Sequence, residues 1–315
     1  MTTLTLSVPR NLAAIYLVPV NAPLRDPAAL VRREIERRLV EPLRHLTLDA
    51  LGRGQAHVDV WWAGDVAVPP ADMFAAMGAP PSLLSAVRRA PRFVVVSMVG
   101  APGAPPLHEW CGRAIATTIA RAIGGPVVDV FTPRLLEVGK AAGSLPTGDR
   151  PPPLAGWLFV PYSPTDGGYW ATTKGLGRFG LPELQTLVVP GELMFPWCRA
   201  LTAIASRLLD AWHERLGTSD GAPAAFLELA AELGVNADDA AEAYGETPSA
   251  LVDDGGRGRG DARVRLILDP TCPGRDTFLT VTPPDGFAGT STDHLAAVCA
   301  ATGGLGVGTG RQGGS

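Results

Sequence analysis

Two pentapeptides open like the helical zinc-protease motif, His108-Glu109-Trp110-Cys111-Gly112 and His213-Glu214-Arg215-Leu216-Gly217. That chemistry needs a second imidazole one turn on, so that two ligands share a helix face and the glutamate can activate a metal-bound water. The position is Gly112 in one case and Gly217 in the other, so both matches fail. His108 and Cys111 could still form an i, i+3 pair, but Cys111 belongs to an apolar helix stripe and no second pair closes a tetrahedron. No metal is expected.

The most distinctive stretch is residues 172–184, TTKGLGRFGLPEL. Its GLGRFG core has the spacing of a kinase glycine loop, in which small residues let the backbone approach phosphates. The lysine strand, H-R-D loop and D-F-G turn of a kinase are absent from the sequence. What remains is a dense set of glycines with Lys174, Arg178 and Glu183. One reading is an anion nest, with backbone amides and the two cations facing a carboxylate or phosphate. The other is a bent strand whose glycines relieve crowding, with Lys174 and Arg178 solvated and Glu183 near one of them. The second is preferred. Asp129 ends a β-type run beside Thr132 and Arg134, where active-site acids of open sheets often stand; a turn-capping role is the preferred explanation. The candidate ligand-binding residues are thus Lys174, Arg178, Glu183, Asp129 and His108. No catalytic residue is assigned. No G-x-S-x-G serine, deaminase cysteine pair, Walker loop or strand-linked dinucleotide fingerprint occurs, and no cofactor is expected.

The elements that would hold these residues read as alternating strands and helices. Residues 12–20, 58–62, 93–99 and 127–131 have strand character, the third a continuous β-branched run suited to burial on both faces. Asp26-Pro27 starts a helix expected to run to about Leu46, with Leu30, Val31, Ile35, Leu39, Leu43 and Leu46 inward. Residues 70–89 are mostly helical with a break at 78–81. From Leu107 an i, i+3, i+4 apolar stripe runs to Ile123 and stops at Gly124-Gly125-Pro126. A strand–helix–strand unit with a right-handed crossover is therefore expected at about 93–131. Residues 139–153 read as a linker. Strands are expected at 157–162, 169–173 and 183–189, a long amphipathic helix at 192–216, and alanine-rich helices at 224–233 and 237–243. Residues 253–261 (DDGGRGRGD) form a loop before a hairpin of 263–268 with 278–282, and the glycine-rich tail from Gly303 is expected to be disordered. The expected fold class is α+β, a mixed β-sheet packed by amphipathic helices. It divides into an N-terminal half (1–138), a C-terminal half (154–250) packed with it, an appended hairpin region (251–290) and a tail (303–315).

Composition narrows the function classes. Apolar residues make up 46% and charged residues 18% of 315, and the formal charge is −4, so no basic field recruits nucleic acid or anionic membrane. Arg32, Arg33, Arg37, Arg38 and Arg44 are interleaved with Glu34, Glu36 and Glu41, with Glu34–Arg38 at the favourable i, i+4 spacing, as on a solvated helix face. No uncharged run is long and unbroken enough to span a bilayer. Four scattered cysteines without a C-x-x-C pair suit free thiols in a reducing cytoplasm.

The 172–184 segment also carries a resemblance. With the runs WLFVPY and VVDVFTP before it, the chain resembles a family of uncharacterised bacterial proteins, a domain of unknown function, that share a T-x-G-L-x-x-F-G-x-P-E-L segment after a strand–helix–strand unit. Thr173, Gly175, Leu176, Phe179, Gly180, Pro182, Glu183 and Leu184 match the pattern. The similarity covers about residues 90–190; the first 60 residues and those after about 245 have no counterpart. It implies an α+β fold and a bacterial cytosolic setting, and transfers no catalytic residue. The expectation is a non-enzymatic cytosolic binding or interaction domain, with a protein partner or a small anionic ligand. The alternative is a hydrolase or transferase acting on an anionic small molecule around Lys174, Arg178 and Glu183.

Overall fold

The computed structural model describes residues 2–103, 105–146, 152–217, 225–247, 260–269 and 277–303. The fold is α+β. The chain begins with β1 (Thr3–Ser7) and β2 (Leu12–Val20), followed by helices α1 (Pro27–Arg38) and α2 (Leu43–Gly52). Next come β3 (Ala56–Trp62), α3 (Ala71–Ala76), α4 (Pro81–Arg89), β4 (Arg92–Gly100), α5 (Leu107–Ile123), β5 (Val127–Asp129), β6 (Arg134–Leu136) and α6 (Val138–Gly143). Five of these strands form a sheet in the order β3-β4-β2-β5-β6, each neighbour antiparallel. Since β4 and β5 both run against β2, they are parallel to each other. The helix joining them is α5, which makes β4–α5–β5 the strand–helix–strand unit expected at 93–131. β2 sits centrally and is covered on both faces. Its Ala14, Tyr16 and Val18 pack with α1, α2 and α5, while Leu17 packs with Phe93, Phe74 and Val87 on the α3–α4 side.

Helix α1 starts where the cap and proline predict, with the Asp26 carboxylate accepting from the Ala29 amide at 2.9 Å. It does not continue to Leu46. Pro42 has no amide hydrogen to donate and disfavours helix in the residue before it, so the chain turns extended at Leu39 and restarts as α2. The stripe in α5 ends as read, on Gly124 in the left-handed region (φ 76°).

The remaining strands and helices are β7 (Tyr162–Thr165), β8 (Gly168–Thr172), β9 (Glu183–Val189), α7 (Met194–Gly217), β10 (Phe226–Ala230), β11 (Glu232–Val235), α8 (Ala237–Tyr244), β12 (Ala262–Asp269), β13 (Phe278–Thr282) and α9 (Ser291–Ala301). They build a second, mixed sheet in the order β11-β12-β13-β9-β8-β7, in which β13 and β9 are parallel. The β12–β13 hairpin thus lies in the middle of the sheet. Against it packs α7, whose Trp197, Leu201, Ala205, Leu208 and Trp212 are fully buried and whose Cys198 is half-buried.

Three local expectations are corrected. Residues 157–161 are not a strand: a 3-10 turn at Leu154–Gly156 precedes them and Phe159 makes an isolated β-bridge to Lys174, so the strand begins only at Tyr162, as β7. Of the alanine-rich 224–233 stretch, residues 225–233 are described and are not helical. Its alternation of Leu227 and Leu229 with exposed Phe226 and Glu228 fits β10, which pairs with β1 across most of the chain length; tertiary pairing overrides alanine's helix propensity. Part of the 139–153 linker is helical, as α6 buries Ala141 and leads to buried Leu145. The loop at 253–259 and the tail beyond Gly303 lie outside the described residues. Among the described residues no helix is long and apolar enough to cross a membrane.

Candidate functional site

The first sheet and the second meet at a cluster of charged side chains closed off from solvent. Helix α5 is buried around most of its circumference, so Glu109 and Arg113, one turn apart, have no route to water. Both side chains are 0% exposed. Tyr16 reaches them from β2, Asp129 from the end of β5, and Arg178 from the 3-10 turn Leu176–Phe179 of the second half. Arg178 holds Asp129 through Nη2, at 3.0 and 3.1 Å, and Glu109 Oε2 through Nη1 at 3.2 Å. Arg113 donates from Nη2 to Asp129 Oδ2 at 2.9 Å, and from Nη1 to Ser144 Oγ (2.8 Å) and the Gly156 carbonyl (2.9 Å). Its guanidinium lies 3.4 Å from the centre of the Trp157 ring. The Tyr16 hydroxyl donates to Glu109 Oε2 at 2.5 Å and accepts from both arginines at 3.2 Å.

Asp129 also accepts from the Thr132 amide at 3.2 Å, so it caps its turn as well as pairing with arginines. His108 donates from Nε2 to the Arg178 carbonyl at 2.9 Å; a carbonyl only accepts, which places the ring proton on that nitrogen. Arg134, half-buried on β6, reaches Thr132 Oγ1 and the Gly156 carbonyl.

Three guanidiniums therefore face two carboxylates. Burial by itself would raise the Asp129 carboxyl, but Arg178, Arg113 and Arg134 outweigh it and hold it at about 2. Burial works against the charge of Arg178, yet Asp129, Glu109 and Tyr16 carry it well above its ordinary value. For Arg134, burial together with the charges of Arg113 and Arg178 overcomes the pull of Asp129 and brings it down to about 10. Burial foremost keeps Tyr16 protonated, well above its ordinary value. Glu109 Oε1, Arg178 Nε, Trp157 Nε1 and His108 Nδ1 are buried without a hydrogen-bond partner.

The glycine-rich stretch contains a real amide nest, and its occupant is the chain itself. The amides of Gly175, Leu176 and Gly177 donate to the Glu183 carboxylate at 2.8, 3.2 and 3.2 Å, and Thr173 Oγ1 donates to it at 2.7 Å. Gly175 has φ 121°, and a Cβ there would lie 2.5 Å from the Trp157 carbonyl, so both conformation and space require glycine. Gly180, at φ 85°, closes the turn.

The structure thus brings together three of the five candidate residues, Arg178, Asp129 and His108, at the enclosed cluster. Glu183 is in the nest, and half-buried Lys174 has its ammonium 6.0 Å from the Phe278 ring centre. The expectation that Arg178 is solvated is corrected: the 3-10 turn swings it inward, and it is 1% exposed. Tyr16 and Arg113 escaped the sequence reading. The signal for Arg113 was a charged residue four positions from Glu109 inside a helix otherwise apolar on most sides; for Tyr16 there was none. Gly112, which stands where a zinc motif needs histidine, is there because a Cβ would come within 3.2 Å of Ala14 on β2. Among the described residues no group of His, Cys, Asp and Glu side chains could hold a metal ion. Comparisons with protein-family models, curated proteins and solved structures return no match.

Proposed function

We propose that this chain is a non-enzymatic binding or interaction protein of the bacterial cytosol, in which the enclosed charge network braces the two sheets against each other. One observation carries the reading: the ionisable side chains best suited to catalysis, Glu109, Arg113, Asp129 and Arg178, are sealed from solvent and spend their hydrogen bonds on one another. The amide nest, the other feature that could take an anionic substrate, is filled by Glu183. The resemblance of 172–184 to a bacterial family and the free thiols of Cys111, Cys198 and Cys299 support the cytosolic setting. The formal charge of −4 supports a protein partner or a small ligand over nucleic acid.

An enzyme acting on an anionic small molecule is the second reading. It is favoured by the excess guanidinium, since Arg134 is half-buried and hydrogen-bonds Thr132 and the Gly156 carbonyl without a carboxylate in contact among the described residues. A panel of phosphate and carboxylate esters assayed with wild type and Asp129→Asn separates the two. The brace reading expects no turnover and a less stable variant; turnover in wild type that a folded Asp129→Asn loses would establish the enzyme instead.

A further inference from the structure

We infer a binding site for a small apolar carboxylate, of five to eight carbons, in the cleft between the α1–α2 link, α5 and the end of α6. The cleft, open to solvent on one side, has a volume of about 130 Å³. That is close to the ~150 Å³ of a cavity able to hold a benzene ring. Leu39, Leu43 and Leu145 supply apolar wall, and two cations, Arg38 and Arg121, line it from opposite helices. Arg38 is one of three arginines sharing the single Glu34 carboxylate, so its end of the cleft keeps surplus positive charge. Arg121 is exposed on the last turn of α5 and makes no ion pair with a described residue.

A buried threonine forms part of the wall. Thr117, 3% exposed, lines the cleft, and its hydroxyl has no hydrogen-bond partner. Buried helical threonines usually bond the carbonyl four residues back, as the neighbouring Thr118 does to Ala114 at 2.7 Å. A mainly apolar cleft flanked by two guanidiniums selects a ligand with a short hydrocarbon body and an anionic head. The inference concerns a different place from the charge network and stands whether or not that network is catalytic.

Isothermal titration of the full chain with hexanoate and benzoate tests it, against hexylamine, acetate and dodecanoate. The expected result is saturable one-to-one binding of the first two, with hexylamine, acetate and dodecanoate at least ten-fold weaker. Arg121→Glu, at an exposed position that leaves the fold intact, should weaken hexanoate ten-fold or more. Ala142→Leu should abolish binding by filling the cleft, with circular dichroism confirming that the variant is folded. Absence of hexanoate binding to wild type, equal binding of hexylamine or dodecanoate, or unchanged affinity in Arg121→Glu would each overturn the assignment.

Discussion

Glu183 and Asp129 show how two carboxylates can be given hydrogen-bond partners by different means, one chiefly by backbone amides and the other chiefly by guanidinium groups. Removing the first should be informative. Glu183→Ala leaves three converging amides and the Thr173 hydroxyl without their acceptor, and is expected to cost about 2–3 kcal/mol in urea denaturation. Added formate or sulfate should restore part of that loss if the vacated nest is an anion site in its own right. Asp129 gives a pH dependence with a definite sign. Its native value, about 2, lies below the ordinary 3.8, so its contribution is full above about pH 4 and is lost as pH falls toward 2. The size is about 2 kcal/mol. Acid titration of stability should show that loss in wild type and not in Asp129→Asn, whose baseline stability will already be lower. Of these residues, Glu183 and Asp129 were visible as candidates from their neighbours in the chain; what they touch was not, because the partners of Asp129 come from three separate segments.

Among the elements, the glycine turn between β8 and β9 and the short helix α6 respond oppositely to the same substitution. Gly175→Ala places a Cβ 2.5 Å from a carbonyl oxygen at φ 121°, and is expected to leave the chain unfolded or aggregated on expression. Gly139→Ala, in α6 with open space around it, should raise stability by about 0.5 kcal/mol through helix propensity. Thermal melts of the two variants check both. The strands and helices with strong periodicity were legible: β2, α5, β9 and nearly all of α7 follow the apolar pattern to within a few residues. The failure at β10 has a definite cause. β1 and β10 are five-residue strands that pair with each other from more than two hundred residues apart, so neither carries a local signal strong enough to outweigh alanine-rich composition or a short terminal segment.

Over the whole molecule, Arg178 is the connection that matters most, since it comes from the second half and pairs with Asp129 and Glu109 of the first. Truncating one partner of a buried charge network leaves the others desolvated and unpaired, a loss of about 3–5 kcal/mol. Arg178→Gln is therefore expected to lower stability by that amount and to split a single calorimetric transition into two, as the two sheets lose the ion pairs between them. A variant that melts in one transition near the wild-type temperature would show that these ion pairs are not what couples the halves.

From the linear order of residues came the α+β class, most of the secondary structure and the steric need for glycine in the 172–184 turn, because periodicity and backbone conformation are decided by near neighbours. The direction taken by Arg178, the identity of the anion in the amide nest and the cleft beside Thr117 emerged only from the tertiary structure. Each depends on which distant side chains share a desolvated volume, and interaction energy in such a volume is set by distance in space, which chain order does not encode.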